Sequence, residues 1–250
     1  MKIVISDSRV FRESIYIISE IVTEARFLFK DEGVELISTD PGNISMVEFK
    51  APKSFFDVYE INKTDGNEQE EVCFDISRLK EIFKRIKTNN SLTLETTQNK
   101  LQIIIEGASK KTFSLPLLTL DVANRKVPDL SYNYSIKMPS SLLTESLEDI
   151  SLMGDVIVFE VNDKKIYFRT PENSMSSGKI EFEQNDVIKI LGDVEDKNEA
   201  YFSIEYLKKM VGASKISPTV EVKFKDSYPL TLVYKEDVSI RFILAPRQKD

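Results

Sequence analysis

The sequence contains no histidine and only one cysteine in 250 residues. Zinc sites built from His and Cys clusters, Ser/His/Asp triads, Cys/His dyads and disulfide frameworks are therefore excluded. The one cysteine, Cys73, lies in the strand-like segment Val72-Cys73-Phe74, which is typical of a small core residue. A single cysteine, which cannot form a disulfide within the chain, favours a reducing, intracellular location.

Glycine is equally scarce, and the eight glycines are never closer than nine residues along the sequence. Neither the GxGxxG loop of dinucleotide-binding proteins nor the GxxxxGK[ST] phosphate loop fits that spacing. No apolar run approaches the roughly 18 residues that a membrane span requires, and residues 1–7 lack the apolar stretch of a signal peptide. We therefore expect no cofactor, no metal site and no membrane anchor.

Acidic residues outnumber basic ones, 41 to 34, which gives a formal net charge of −7. Attraction of the whole surface to nucleic acid or to an acidic membrane is not expected, so any polyanion site must be a local patch. Two acidic segments, residues 65–71 and 193–199, precede helix-like stretches at matching places in the two halves. They are interpreted as solvated loops, with magnesium binding through grouped carboxylates as the alternative.

The most informative feature is an internal repeat whose period is about half the chain. Apolar residues at helical spacing predict a first helix in each half, at 8–22 and 139–153, followed by a strand, a turn and a strand at 27–36 and 156–168. A second helix and hairpin follow, with helices at 75–87 and 203–214 and strands at 91–95, 101–106, 219–224 and 230–234. The sequence therefore predicts two copies of one α+β module joined by an irregular connector.

Positive charge is concentrated on three of the predicted helices. The helix at 75–87 includes Lys80 and Lys84 at i,i+4, where like charges destabilise a helix by a few tenths of a kcal/mol. A solvated face is one interpretation, and a surface for a phosphate backbone is the other. Such contact would be electrostatic, independent of base sequence and weakened by salt, because no base-reading motif is present. The candidate DNA-facing residues are Arg9, Arg12, Arg78, Lys80, Lys84, Arg85, Lys87, Lys208, Lys209 and Lys215.

Several short segments, spread over nearly the whole chain, carry a resemblance to a known family. They are GVELISTD at 33–40 with NISMV at 43–47, LTLDV at 118–122, IKMPS at 136–140, YPL at 228–230 and ILAPR at 243–247. Each segment is a weak signal by itself. In their order and spacing they resemble the sliding DNA clamp family, proliferating cell nuclear antigen, in its archaeal and eukaryotic form.

This resemblance implies an α+β DNA clamp fold with two similar domains, residues 1–117 and 135–250, joined by an interdomain connector at 118–134. In each domain, antiparallel sheets would form the outside and two helices would line a central hole. Three subunits, identical or related, would close a ring around duplex DNA, in the cytoplasm or nucleoid of an archaeon or in a eukaryotic nucleus. Such a protein is a processivity factor and not an enzyme. A clamp loader places it on DNA, and it tethers polymerase, ligase and flap nuclease through short peptide motifs.

The resemblance also implies two protein-binding sites. Edge strands at 111–118 and 178–183 of neighbouring subunits would pair, with Pro116 as a weak point because proline cannot donate a ladder hydrogen bond. The interface residues expected there are Phe113, Leu115, Leu117, Ile180 and Phe182. Partner peptides would enter an apolar pocket, with Arg125 at its edge, formed by Ile44, Met46, Val127, Pro229, Ile243, Ala245 and Pro246.

Some residues depart from the family pattern. Asn43 stands where the family often has His, so a partner contact at that position is not expected. The third helix carries Glu145, Glu148 and Asp149 where the family usually has cations. That helix is therefore left out of the DNA-facing set.

Two other functions stay open on the sequence alone. One is a clamp-like subunit of a DNA-damage signalling ring, which would share the fold. The other, from a different class, is a hydrolase that uses two of the 41 carboxylates, as glycoside cleavage does. The segments at 228–230 and 243–247 favour the replication clamp, and nothing in the order of the acidic residues favours the hydrolase.

Overall fold

The computed structural model describes residues 1–62, 69–87, 89–119, 126–162, 164–194 and 197–249. The chain divides into two compact units. Unit 1 comprises Met1–Pro41, Val47–Val127 and Glu236–Ile240, and unit 2 comprises Gly42–Met46, Pro128–Lys235 and Arg241–Asp250. The main division falls within the predicted connector, of which residues 120–125 lie outside the described residues. The connector bounds themselves stay a prediction.

The first half of the chain contains a five-stranded sheet of order β5-β1-β7-β8-β9 and a set of strands of order β4-β3-β2-β6. It also contains two α-helices and one turn of 3₁₀ helix. The elements are β1 (Lys2–Ile5), α1 (Arg9–Ser19), β2 (Glu24–Lys30), β3 (Gly33–Thr39), β4 (Ser45–Pro52), the 3₁₀ helix (Lys53–Phe55), β5 (Val58–Glu60), β6 (Glu70–Asp75), α2 (Ile76–Phe83), β7 (Ser91–Thr97), β8 (Lys100–Glu106) and β9 (Lys110–Pro116).

The second half of the chain repeats this arrangement, with strand orders β14-β10-β16-β17-β18 and β13-β12-β11-β15. Each strand occupies the place of its counterpart in the first half, so the internal repeat is confirmed. The elements are β10 (Tyr134–Pro139), α3 (Ser140–Ser151), β11 (Val156–Asn162), β12 (Lys165–Arg169), β13 (Lys179–Glu183), β14 (Lys189–Gly192), β15 (Asn198–Ser203), α4 (Ile204–Met210), a 3₁₀ helix (Val211–Lys215), β16 (Thr219–Lys223), β17 (Leu230–Lys235) and β18 (Ser239–Leu244).

The helices cover the sheets with the apolar stripes that the sequence predicted. A spacing of three and four residues places these side chains on one helix face, which is buried while the polar face is exposed. In unit 1 the Phe11 ring of α1 lies 6.1 Å from the Phe83 ring of α2, so the two helices also pack on each other. The buried stripes are Phe11, Ile15 and Ile18 on α1, Ile76, Leu79 and Phe83 on α2, Leu143, Leu147 and Ile150 on α3, and Ile204, Leu207 and Met210 on α4.

Local chemistry sets where these elements begin. The Asp75 carboxylate caps α2 by accepting from the backbone N–H groups of Ser77 and Arg78, at 2.9 and 3.2 Å. The turn between β2 and β3 requires Gly33, because its φ is +145° and a Cβ there would lie 2.1 Å from the Ala51 carbonyl oxygen.

The helices end earlier than the apolar pattern predicted. Ile21 and Val22 continue the pattern after α1 ends, and Ile86 does so after α2 ends. These residues belong to the turns that follow each helix, and their side chains are buried. Apolar spacing alone therefore overestimates helix length. Among the described residues, no helix is both long and apolar enough to span a membrane.

Candidate functional site

Three exposed cations of the predicted DNA-facing set lie at or just after the ends of α2 and α4. Arg85 and Lys87 follow Phe83, the last residue of α2, and Lys208 lies in the last turn of α4. All three residues are exposed. Within the part of the chain that the structure describes, none of the three forms an ion pair. A phosphate group would therefore meet these cations without first breaking an ion pair.

Other predicted DNA-facing cations are engaged by carboxylates of their own segments. The hydrogen bond from the Arg9 guanidinium is the main cause that lowers the pKa of Asp7 to about 2. Ion pairs this exposed add little to stability, so a phosphate competes for these cations but leaves a carboxylate nearby. The nitrogen-to-oxygen distances are 2.5 Å for Arg9–Asp7, 3.4 Å for Arg78–Asp75, 2.6 Å for Lys84–Glu81 and 3.3 Å for Lys209–Glu205.

Arg12 and Lys80 connect the two helices of unit 1. The Arg12 guanidinium forms an ion pair with Glu13 at 3.2 Å and donates to the Ile86 carbonyl oxygen at 3.2 Å. Lys80 on α2 reaches Glu20, the residue that follows α1, at 2.5 Å. Their side chains are only 24% and 27% exposed, so contact with a phosphate would first have to break these links.

Helix electrostatics explain part of the positive charge. Arg85 and Lys87 follow α2, and Lys208 lies in the last turn of α4. A cation near a helix C-terminus stabilises the helix dipole by about 0.3–1 kcal/mol. Arg9 lies in the first turn of α1, where the dipole disfavours a cation. Helix stability therefore accounts for Arg85 and Lys208, which lie within about a turn of a helix end, but not for Arg9.

The two helices of unit 2 expose opposite charges. Lys208 on α4 and Lys215 on the following 3₁₀ helix are exposed. The adjacent α3 contains no Lys or Arg and exposes Glu145, Glu148 and Asp149. A polyanion beside unit 2 would therefore be attracted to the α4 side and repelled by α3.

The two predicted interface strands, β9 and β13, both lie at the end of a strand order, so one side of each backbone has no neighbour within its sheet. Phe113 on β9 is opposite Ile103 of β8, and Ile180 on β13 is opposite Phe168 of β12. Phe113, Leu117, Ile180 and Phe182 are half-buried. Leu115 is only 8% exposed, so it already belongs to the core of its own unit.

Other details of these edges bear on the predicted pairing. Pro116 is the last residue of β9, where the loss of one N–H donor interrupts no ladder. Leu117 follows the strand rather than lying in it. The Phe182 ring lies 5.7 Å from the Phe168 ring in an edge-to-face contact, which fixes one face of β13.

Six of the residues predicted to form the peptide pocket lie in unit 2. Ile44 is 43% exposed, whereas Ile243 is only 9% exposed. The backbone N–H of Ala245 donates to the Ile44 carbonyl oxygen at 2.9 Å, which brings two parts of the predicted pocket together. The remaining members of this set are Met46, Pro229 and Pro246, which are half-buried, and Val127, which is half-buried in unit 1.

Sequence reasoning missed the contribution of Tyr132 to this surface. Its hydroxyl donates to the Pro229 carbonyl oxygen at 2.9 Å and lies 2.8 Å from the hydroxyl of Thr231. Its ring lies 5.5 Å from that of Tyr228 in an edge-to-face contact. The sequence offers little to predict this contact. Tyr132 and Tyr228 each lie in a segment without a periodic apolar pattern.

Some predictions fall partly outside the described residues. Arg125, predicted at the pocket edge, lies outside the described residues. So do residues 65–68 and 195–196 of the two acidic segments. Among the residues that are described, no group of three or more Cys, Asp or Glu side chains is arranged to hold a metal ion.

Comparison with protein families gives two matches that together span the chain. Residues 1–125 match the family model described as the N-terminal domain of proliferating cell nuclear antigen. Residues 126–248 match the model described as its C-terminal domain.

Curated relatives and solved structures are similar along their whole length. The chain is 30% identical to the DNA polymerase sliding clamp of Nanoarchaeum equitans, covering 99% of both chains, and 28% identical to that of Thermococcus fumicolans, covering 100% and 99%. A chain of the PCNA2–PCNA3 complex from Sulfolobus tokodaii superposes with a TM-score of 0.86 at 24% identity, covering 99% of both chains. PCNA from Thermococcus kodakaraensis gives a TM-score of 0.89 at 21% identity, covering 98% of this chain and 99% of that one. At these identities the structural likeness concerns the fold.

Proposed function

The chain belongs to the proliferating cell nuclear antigen family, and we propose that it works as a ring of three subunits that encircles duplex DNA. Its function is that of a DNA polymerase sliding clamp, a processivity factor in replication. The observation that carries this conclusion is that two successive halves match the two domains of the family and repeat one order of strands and helices. Tethering needs no catalytic group, because a partner held on the ring re-engages DNA intramolecularly at high effective concentration.

DNA contact in this proposal is made by the exposed faces of α1, α2 and α4. Arg85, Lys87 and Lys208 make the strongest contacts, since they give up no internal ion pair when they approach a phosphate. The paired cations contribute mainly through the positive field of their helices. These contacts are independent of base sequence, so the ring can slide while the charge on its outer surface stays negative.

Ring closure in this proposal joins β9 of one subunit to β13 of the next. Two different edges that pair head to tail close into a ring when the rotation between subunits fits. Both strands offer free backbone groups and half-buried apolar side chains. Their net charges are opposite in sign, because β9 begins with Lys110 and Lys111 and β13 carries one lysine and two glutamates, although Lys110 pairs with Glu106 and both glutamates pair with Lys165.

Partner enzymes in this proposal insert a short peptide with aromatic residues into the pocket around Ile44, Met46 and Pro229. Two aromatic anchors would each contribute about 1.5–3 kcal/mol from burial, reduced by the cost of ordering the peptide. The partners are polymerase, ligase and flap nuclease, with a clamp loader that opens the ring. All of these partners act on DNA, so the proposed site of action is where the genome is copied.

The proposed function is tested by primer extension on a singly primed circular template, with polymerase and clamp loader present. Addition of the chain should lengthen the products made in one binding event. The matched control is the Phe113→Asp/Ile180→Asp variant, which should leave product length unchanged because the ring cannot close. Equal product lengths with and without the assembled wild-type chain would contradict the proposal.

The composition of the ring is tested by sedimentation of the purified chain. A trimer of the chain alone supports three identical subunits. A trimer that forms only with a related clamp subunit supports a mixed ring. A chain that stays monomeric in both cases contradicts ring formation.

A further inference from the structure

The segment that follows β18, residues 245–249, lies along β15, the last strand in the order β13-β12-β11-β15. Arg247 and Tyr201 form an antiparallel bridge, in which the Arg247 backbone N–H donates to the Tyr201 carbonyl oxygen at 2.7 Å. Two residues further on, the Lys249 ammonium donates to the Glu199 carboxylate. The register is that of an antiparallel strand, because residues 247 and 249 oppose residues 201 and 199. The segment therefore extends this edge by one antiparallel bridge and one side-chain contact.

The carboxylate that receives Lys249 is held rigidly. The Glu199 side chain is 14% exposed and forms ion pairs with Arg169 at 2.8 Å and Lys197 at 3.0 Å. Arg169 is itself 10% exposed and is fixed by Glu160 at 2.8 Å. Burial alone would raise the pKa of Glu199, but hydrogen bonds from Lys249 and Lys197 lower this pKa to about 2. Glu199 is therefore a fixed negative charge at neutral pH.

The other end of the segment is attached to the pocket. Ala245 donates its backbone N–H to the Ile44 carbonyl oxygen at 2.9 Å. Ala245 and Pro246, both predicted pocket residues, thus lie between one attachment at Ile44 and another at Tyr201 and Glu199. A backbone fixed on both sides keeps its conformation when a ligand arrives, which lowers the ordering cost of binding.

The internal repeat shows which part of this attachment is special to unit 2. In unit 1 the backbone N–H of Leu118, which follows β9, donates to the Cys73 carbonyl oxygen of β6 at 2.8 Å. Cys73 occupies the place in β6 that Tyr201 occupies in β15. A backbone hydrogen bond of this kind therefore occurs in both units. The Lys249–Glu199 ion pair adds a charged contact in unit 2, in the segment that lines the pocket.

We infer that the Lys249–Glu199 ion pair, together with the Arg247–Tyr201 bridge, positions Ala245 and Pro246 for the partner peptide. Lys249 is a positioning residue, because it acts through the backbone of the segment and not through contact with the peptide. This inference rests on the peptide pocket of the proposed function. It adds a determinant of affinity that lies outside the apolar pocket itself.

The first test measures hydrogen exchange of the Arg247 amide in the full chain. Lys249→Gln should raise its exchange rate about two- to fivefold, the range expected for loss of one partly exposed ion pair. Lys249→Arg should keep the wild-type rate. Lys235→Gln, at an exposed lysine of β17, is the matched control and should have no effect. An unchanged rate in Lys249→Gln would overturn the inference.

The second test measures calorimetric affinity for a synthetic polymerase peptide that ends in two aromatic residues. Lys249→Gln should weaken peptide binding about two- to fivefold, whereas Lys249→Arg should bind the peptide with the wild-type affinity. The double variant Glu199→Gln/Lys249→Gln should lose no more peptide affinity than whichever of the two single variants binds the peptide less tightly. Faster Arg247 exchange with unchanged affinity would overturn the positioning role alone. Failure of the wild-type chain to bind the peptide would overturn the pocket, while the exchange data would still report on the attachment of the segment.

Discussion

The cations that form no ion pair with any described residue give the sharpest prediction for DNA contact. Replacement of Arg85, Lys87 and Lys208 by Ala removes three exposed positive charges from each subunit without leaving a carboxylate unpaired. The variant should bind duplex DNA more weakly, and its affinity should depend less on salt. The reason is that each phosphate contact releases condensed counterions, and this release is the source of the salt dependence.

The size of the effect follows from the number of contacts. Each lost phosphate contact should reduce the slope of log K against log salt concentration by about 0.9, so loss of all three contacts in one subunit reduces it by about 2.7. The assay is a fluorescence anisotropy titration of a short linear duplex at several salt concentrations. Sedimentation of each variant confirms that assembly is unchanged.

A second triple variant provides the control for net charge. Arg9→Ala/Arg78→Ala/Lys84→Ala removes the same charge, but these cations are already paired with carboxylates at 2.5, 3.4 and 2.6 Å. Its slope should change less than that of the first variant. Equal slopes in the two variants would refute the role given to internal pairing. Unchanged slopes in both would refute the assignment of these helices to DNA contact.

Three further predictions concern the other surfaces. Phe113→Asp or Ile180→Asp should produce smaller species in analytical ultracentrifugation, and survival of the full assembly in both would place the interface elsewhere. Met46→Glu or Pro229→Asp should abolish calorimetric binding of the aromatic peptide with the assembly intact, and full affinity in both would move the docking site. In acid titrations, the stability that Glu199 adds relative to Glu199→Gln should be present above pH 4.5 and be lost as pH falls toward 2, because folding lowers the pKa of this carboxyl from 4.5 to about 2. A stability difference that does not vary between pH 4.5 and 2 would contradict that last prediction.

The sequence predicted the repeated architecture because its signals are local. Apolar spacing within one helix or one hairpin identified all four helices and the strands beside them. Helix ends were less well predicted, since Ile86 stays buried after α2 ends at Phe83 and so continues the apolar pattern. A periodic apolar pattern indicates which side chains are buried. Side chains can stay buried beyond the residue at which the helical backbone hydrogen bonds end.

The state of some charges could not be predicted, because their partners are distant in sequence. Lys80 pairs with Glu20, 60 residues away, and Lys249 with Glu199, 50 residues away. The sequence analysis therefore placed Lys80 and Arg85 in the same DNA-facing set. In the structure Lys80 forms an ion pair with Glu20, whereas Arg85 forms no ion pair with a described residue. The attachment of segment 245–249 to β15 was missed for the same reason.

Topological linkage to DNA is tested most directly by retention on a nicked circular duplex before and after linearisation. The chain is loaded with its clamp loader, free protein is removed by gel filtration at high salt, and the circle is then cut once with a restriction enzyme. A closed ring should stay on the circle through the salt wash, because linkage does not depend on charge, and should slide off after the cut. Loss from the circle in high salt, or equal retention on the circular and linear forms, would contradict encirclement of DNA.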